Sequence, residues 1–231
     1  MNSINTALLQ QFHLHGLSIN AGMAVDARLV KSASRPLSAG QLEKIKKEAE
    51  NPGGRLDKNG RTKKFSRDLD SDWTIKNDKP HYGLKEHAAV DTKNGFILAT
   101  ILSPASHHDS TYLPRAVISG IHTTQPITKI YADKGYAGEP NRQFLALNKI
   151  EDGIMRKDTR GAKLTELEII RNKAISKHRY IVEQYFGISR LHDNGGRARF
   201  AKILKNSIAL MFRQFAFNLK KGMKILESLP V

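Results

Sequence analysis

Ile127-Thr128-Lys129-Ile130-Tyr131-Ala132-Asp133-Lys134-Gly135-Tyr136-Ala137-Gly138 is the stretch that decides how this chain reads. Its first half is a short, nearly continuous apolar run, the pattern of a buried central strand. An acid ends the run and a glycine follows two residues later. An acid at the carboxyl end of a buried strand stands where open α/β sheets place their ligands. The residues alone also allow a plainer reading, in which Asp133 caps the turn or pairs with Lys134.

Outward from this strand the chain alternates element types. Upstream, HYGLKEHAAVDTKNGFILATILSP (81–104) reads as two strands joined at a turn over 91–95, where Asn94-Gly95 is a strong hairpin signal. Ser106 to Ser110 supplies caps for a helix over 110–119. Downstream, the pattern predicts a helix over 139–148, a strand over 152–157 and a long helix over 164–191. Thr165-x-x-Glu168 opens that long helix as a capping box. A basic helical stretch over 197–227 follows, interleaving Arg and Lys with Phe200, Phe212, Phe215 and Phe217. Near the start, 4–15 reads as a short helix stopped by Gly16, and 17–30 as a strand or hairpin. Residues 31–79 are rich in Lys, Arg, Asp, Gly and Ser, with one helix over 37–50 capped by Ser38. They predict a basic polar insertion after the first strand, weakly ordered around 61–73. The order of strands and helices is that of an α/β fold with a mixed sheet flanked by helices.

Two further acids stand in comparable settings. Asp26 lies in Ala24-Val25-Asp26-Ala27 and Glu183 in Arg179-Tyr180-Ile181-Val182-Glu183. Taken alone, Asp26 reads as a strand terminator or a partner of Arg28, and Glu183 as half of a solvated Arg–Glu pair. Ser176, Arg179, Glu183 and Arg190 fall within roughly 60° on one helix face at ~100° per residue. Two acids at strand ends and a third on a later helix can converge at one sheet edge. Converging carboxylates hold divalent cations, and two such ions ~3.5–4 Å apart would bring the three carboxylates within ~4–8 Å of one another.

Bulk properties narrow the substrate. The formal net charge is +16 over 231 residues, which favours a polyanionic partner through phosphate neutralisation. There is no cysteine, so disulfides and thiolate metal sites are excluded. No apolar run reaches ~18 residues and the N-terminus has no signal-peptide pattern. The expectation is one globular, intracellular domain acting on nucleic acid without a membrane. A basic RNA-binding protein would carry the same charge, but would leave the three acids unexplained.

At these residues the chain resembles the DDE transposases of bacterial insertion sequences, in the insertion-sequence-five group. INAGMAVDARLV (19–30) resembles the first-acid strand, HYGLKEHAAVD (81–91) with GFI (95–97) and SPASHHDS (103–110) the family's hairpin and the turn after it, and YADKGYAG (131–138) the second-acid motif. The third-acid helix of this group reads Tyr-x2-Arg-x3-Glu-x6-Lys. Arg179 and Glu183 match it, Arg190 stands at the Lys position and Ser176 departs from the Tyr.

The resemblance implies a ribonuclease-H-like catalytic domain over 17–231, with Asp26, Asp133 and Glu183 as catalytic and metal-binding triad. It implies two Mg²⁺ ions, with Mn²⁺ as substitute, hydrolysis at element ends and strand transfer into target DNA. Arg179, Arg190 and Lys134 would contact DNA. His87 and Asp109 would be outer groups of the site or, on the plainer reading, packing and capping residues. Double-stranded DNA, a homo-oligomer on that DNA and a nucleoid-associated place in a bacterial cytoplasm complete the expectation. With Asp26 so early, residues 1–16 resemble only the tail of the family's N-terminal helical region. A truncated, non-catalytic DNA-binding product that interferes with transposition is therefore the alternative.

Overall fold

Strand β1 (Gly22–Lys31) is paired on both edges and organises the molecule. The computed structural model describes residues 3–17, 19, 22–51, 56, 58–61, 68–121 and 126–228. Along the chain these form α1 (Ser3–Leu14), β1, α2 (Ala39–Glu50), β2 (Asp72–Lys76), β3 (Lys79–Asp91), β4 (Ile97–Pro104), α3 (Leu113–Gly120), β5 (Lys129–Ala132), α4 (Glu139–Leu147), β6 (Glu151–Ile154), α5 (Glu166–Asp193) and α6 (Ile203–Glu227). The sheet runs β2-β3-β1-β5-β6, and β4 also pairs with β3. β3 is long enough for β2 and β4 to share its outer edge, β2 along 79–83 and β4 along 84–90. β1 lies antiparallel to β3 and parallel to β5, and β5 parallel to β6. This is the expected mixed sheet flanked by helices, of the ribonuclease-H-like kind.

Alternation along β1 sends Met23 and Val25 into one core and Ala24 into another. The larger core takes Phe12 of α1, Leu113 and Val117 of α3 and Leu145 of α4. The smaller takes Val182 and Tyr185 of α5. α5 opens with the capping box expected at Thr165 and Glu168, and α2 with another at Ser38 and Gln41. No helix among the described residues is long and apolar enough to cross a membrane.

The expected weakly ordered insertion is more structured than its composition suggests. Its residues 52–55, 57 and 62–67 lie outside the described ones. Its later part supplies β2, and Asp68 is fully buried, receiving Ser32 Oγ and Ser71 Oγ. The basic helix expected from 197 begins only at Ile203. Residues 197–198 run beside the end of β1 instead, with Ala198 donating to the Lys31 carbonyl. The helix start is set by Asp70, whose carboxylate accepts the Ile203 N–H at 2.7 Å, and by Asp68, which accepts Lys202 N–H. Asn206, Leu210, Gln214, Asn218 and Gly222 form the buried stripe of α6, Phe217 packs half-buried against Tyr185, and Phe212 is exposed. The amides Asn218 and Gln214 reach the backbone of Ile97, and Asn5 of α1 joins them there. α6 thus satisfies the start of an edge strand with polar side chains.

His87 is a buried packing residue. It pairs across strands with Ala27 and so faces away from Asp26, which pairs with Ala88. Its ring stacks on Tyr112 at 4.3 Å and its Nε2 lies 2.9 Å from Ser103 Oγ. Asp109 pairs with Lys85 at 2.9 Å. Burial pulls the imidazole down to about 4 from 6.5, helped by Lys85 and His107 and opposed by Asp109.

Two predictions follow from these contacts. Between pH 6.5 and 4 the unfolded chain protonates residue 87 while the folded chain does not, so stability is intact above 6.5 and falls as the pH drops. Wild type is expected to lose roughly 3 kcal/mol more than His87→Gln between pH 7 and 4, read by urea unfolding at each pH. Gly83 is squeezed where β1 and β3 meet: a Cβ there would stand 2.1 Å from the Val30 carbonyl oxygen. Gly187, exposed on α5, has open space around it. Gly83→Ala should cost about 1–3 kcal/mol or more, whereas Gly187→Ala should add up to about 1 kcal/mol through helix propensity.

Candidate functional site

Asp26 and Asp133 are brought side by side by the parallel pairing of β1 and β5. The register matches Val25 with Ala132, so the two acids are the next residues along adjacent strands. Only Asp133 stands at a strand end. Asp26 is the fifth residue of a strand that continues to Lys31, and the short β5 simply stops at its level. The site is a step in the sheet, where one strand ends and its neighbour goes on. Asp133 turns the chain into a short 3-10 turn, Lys134–Tyr136, with its backbone carbonyl accepting Tyr136 N–H. Its side chain makes no capping hydrogen bond, so the turn leaves that carboxylate available.

The partner of Asp26 is Arg179 of α5, which donates from Nη2 to Oδ2 at 2.8 Å. Asp26 Oδ1 accepts the Ala27 N–H at 2.8 Å. Arg28, the other partner considered for Asp26, pairs with Glu86 instead. Burial raises the Asp26 carboxyl above its usual range; the Arg179 guanidinium and the Ala27 amide oppose this, and the Asp133 charge adds to it. Desolvation thus outweighs the arginine in contact with Asp26. Arg179 is itself buried, and its Nε finds no partner among the described residues.

Tyr136 lines the same place from below. Its phenol is buried and its hydroxyl has no hydrogen-bond partner among the described residues. Burial raises its pKa well above the usual value, with further contributions from the charges of Asp26, Asp109 and Asp133 and opposition from Arg179. Tyr136 was legible as part of the motif after Asp133, but nothing in the sequence marks it as buried among acids.

The other expected residues are placed less tightly. Glu183 lies on α5 one turn after Arg179, about 6 Å further along the axis, and its side chain is exposed. Arg179 turns to Asp26 and not to Glu183. Arg190 is exposed about 16 Å beyond Arg179 along the helix, and Lys134 is exposed on the turn after Asp133. Among the described residues no three acids or histidines are grouped closely enough to hold a metal ion as they stand. The structure thus brings together Asp26, Asp133 and Arg179, and carries Glu183 on the helix that crosses them.

A network missed by the sequence reading lies next to this site. Arg28, two residues after Asp26 on the same face of β1, donates to Glu86 of β3 from Nε and Nη2, at 3.0 and 2.6 Å. Tyr185 of α5 donates to the other oxygen of Glu86 at 2.6 Å. Glu86 was visible only as the acid in Leu84-Lys85-Glu86-His87; the signal for it is its cross-strand position opposite Arg28.

A family model described as a transposase DDE domain matches residues 21–219, a span that holds β1, β5 and α5. The transposase for insertion sequence element IS1106 of Neisseria meningitidis serogroup B is 36% identical over 157 residues. The match covers 68% of this chain and 53% of that relative, so the chain spans about half the length of the curated relative it matches. The adjacent acids on β1 and β5, the arginine-bearing helix above them and the family match identify this chain as a member of the DDE-domain transposases of insertion sequences.

Proposed function

We propose that this chain is the catalytic core of a DNA transposase. It would carry out metal-dependent hydrolysis at the ends of an insertion sequence, then strand transfer into target DNA. The observation that carries the reading is the placement of Asp26 and Asp133 side by side, with Asp26 half-buried, raised in pKa and in contact with Arg179. Two adjacent carboxylates fit a divalent cation, and oxygen donors are what Mg²⁺ prefers. Asp26 and Asp133 would hold the ions from the sheet and Glu183 from α5, with Mn²⁺ as a substitute for Mg²⁺. When bound, two such ions supply charge stabilisation for both the attacking and the leaving oxygen of an in-line displacement.

The remaining work falls to the chain's own groups. Arg179 favours the ionised form of Asp26 and covers it until substrate arrives, then turns its guanidinium toward a phosphate. Arg190 and Lys134, both exposed, bind phosphates on either side of the scissile bond and set the strand's direction. The net charge of +16 adds sequence-independent attraction to double-stranded DNA. A homo-oligomer on paired DNA ends, acting at the nucleoid, is the assembly this activity needs.

A DNA-binding product without catalysis is the alternative. The exposed position of Glu183 and the lack of a tight acid cluster among the described residues favour it.

The deciding experiment is Mg²⁺-dependent cleavage and joining of DNA carrying the ends of the chain's own element. Asp26→Asn, Asp133→Asn and Glu183→Gln should each slow cleavage by more than about a hundredfold, since even groups that only support a metal ligand cost 10–100-fold. Arg190→Ala and Lys134→Ala should weaken DNA binding and each lower the salt slope by about 1. Salt-sensitive binding with no cleavage in wild type would leave the non-catalytic reading standing.

A further inference from the structure

We infer that Arg28, Glu86 and Tyr185 are positioning residues that fix α5 in one registry across the sheet, and so set where Arg179 and Glu183 stand relative to Asp26 and Asp133. The inference deepens the metal-dependent reading above and takes one of its readouts from it. Four bonds tie Arg28 in place. Beyond the two to Glu86, Nη1 donates to the Phe186 carbonyl at 2.9 Å and Nη2 to Ser189 Oγ at 2.9 Å. Its guanidinium also lies over the Phe186 ring, 4.8 Å from the centroid. Arg28 and Glu86 are 6% and 1% exposed, and Tyr185 is equally buried, so no water competes for these bonds.

Every partner comes either from the strands beside the acids or from α5. Arg28 is one side-chain repeat from Asp26 on β1, about 7 Å away along the strand. Phe186 and Ser189 lie two to three turns beyond Arg179 on α5. The loop after the helix folds back over the same point. A Cβ on Gly195 would stand 2.2 Å from Ser189 Oγ and 2.6 Å from Arg28 Nη2. An apolar cluster of equal volume would hold the helix down but leave its rotation and slide undetermined. A fork of directed, charge-assisted bonds admits one arrangement. The lock is thus matched to a function that needs two groups on a helix aligned with two acids on strands.

The test compares Tyr185→Phe with Leu145→Ala, a truncation in the core on the opposite face of the sheet. Mn²⁺ binding to the full chain is followed by electron paramagnetic resonance with element-end DNA present, alongside DNA affinity. Amide exchange across residues 179–190 is measured without metal. Tyr185→Phe should weaken Mn²⁺ binding by about tenfold, the range seen when a group supporting metal ligands is removed, with DNA affinity unchanged. It should speed exchange over 179–190 more than Leu145→Ala does at matched stability. If Tyr185→Phe does not fold, Ser189→Ala removes a single bond to Arg28 and should show the same changes in smaller measure. Mn²⁺ binding and exchange that move no more than in Leu145→Ala would overturn the inference. If wild type binds no Mn²⁺, the metal reading falls, and the exchange comparison alone decides whether the lock positions α5.

Discussion

β1 has a parallel neighbour on one edge and an antiparallel neighbour on the other, and the centre of the molecule depends on that arrangement. Parallel pairing with β5 matches Val25 to Ala132 and so sets Asp26 next to Asp133. Antiparallel pairing with β3 sets Glu86 opposite Arg28. A slip of one residue on either edge would turn the acids or the arginine to the other face. The burial of Met23, Ala24 and Val25 on alternating sides penalises any such slip. The charged contacts then add directionality. A buried ion pair contributes little net stability against a well-packed apolar substitute, yet breaking one by removing a single partner costs about 3–5 kcal/mol. Arg28 and Glu86 are therefore better understood as fixing geometry than as holding the fold together.

The same economy of polar groups appears at the sheet edges. β6 is an edge strand, and Arg171 of α5 donates to the carbonyls of Asp152 and Ile154 on it. Asn172 makes a two-way pair with the backbone of Arg156, donating to its carbonyl and accepting its N–H. At the start of β4, Ile97 is served by Asn5, Gln214 and Asn218. At β6 and at the start of β4, side chains from helices thus satisfy edge backbone groups. α5 is anchored twice by this, at β6 through Arg171 and Asn172 and at β1 through Arg28, with Arg179 and Glu183 lying between the anchors.

Most of the elements were legible because they rest on local rules. The capping boxes at Ser38 and Thr165, the Asn94-Gly95 turn and the apolar run ending at Asp133 each carry their physics within a few residues. What sequence reading missed depends on residues far apart in the chain. Asp68 and Asp70 look like members of a solvated charged loop, yet they fix the start of α6 more than 130 positions later. The buried stripe of α6 carries three amides beside Leu210 and Gly222 because its neighbour is an edge backbone, which hydrophobic periodicity does not signal. At the site, Asp133 was legible from its strand and Asp26 from the family motif. The contact between Asp26 and Arg179 was not, because Arg179 and Glu183 share a helix face and the nearer-looking partnership was theirs.

Arg179 has three possible claims on it, from Asp26, from Glu183 and from phosphate, and only the first is met here. Asp26 wins because it is the acid most in need of a counter-charge: it is largely removed from water and lies beside Asp133. Glu183 is exposed to solvent. A divalent cation between the two strand acids would meet the need of Asp26 more fully than one guanidinium, and would loosen its hold on Arg179. In the proposed reaction the freed arginine would then have a positive charge to offer to a phosphate. On the proposed function the Asp26–Arg179 pair would be a resting arrangement that a cation held by Asp26 and Asp133 and a phosphate held by Arg179 would replace together, so that each would favour the arrival of the other.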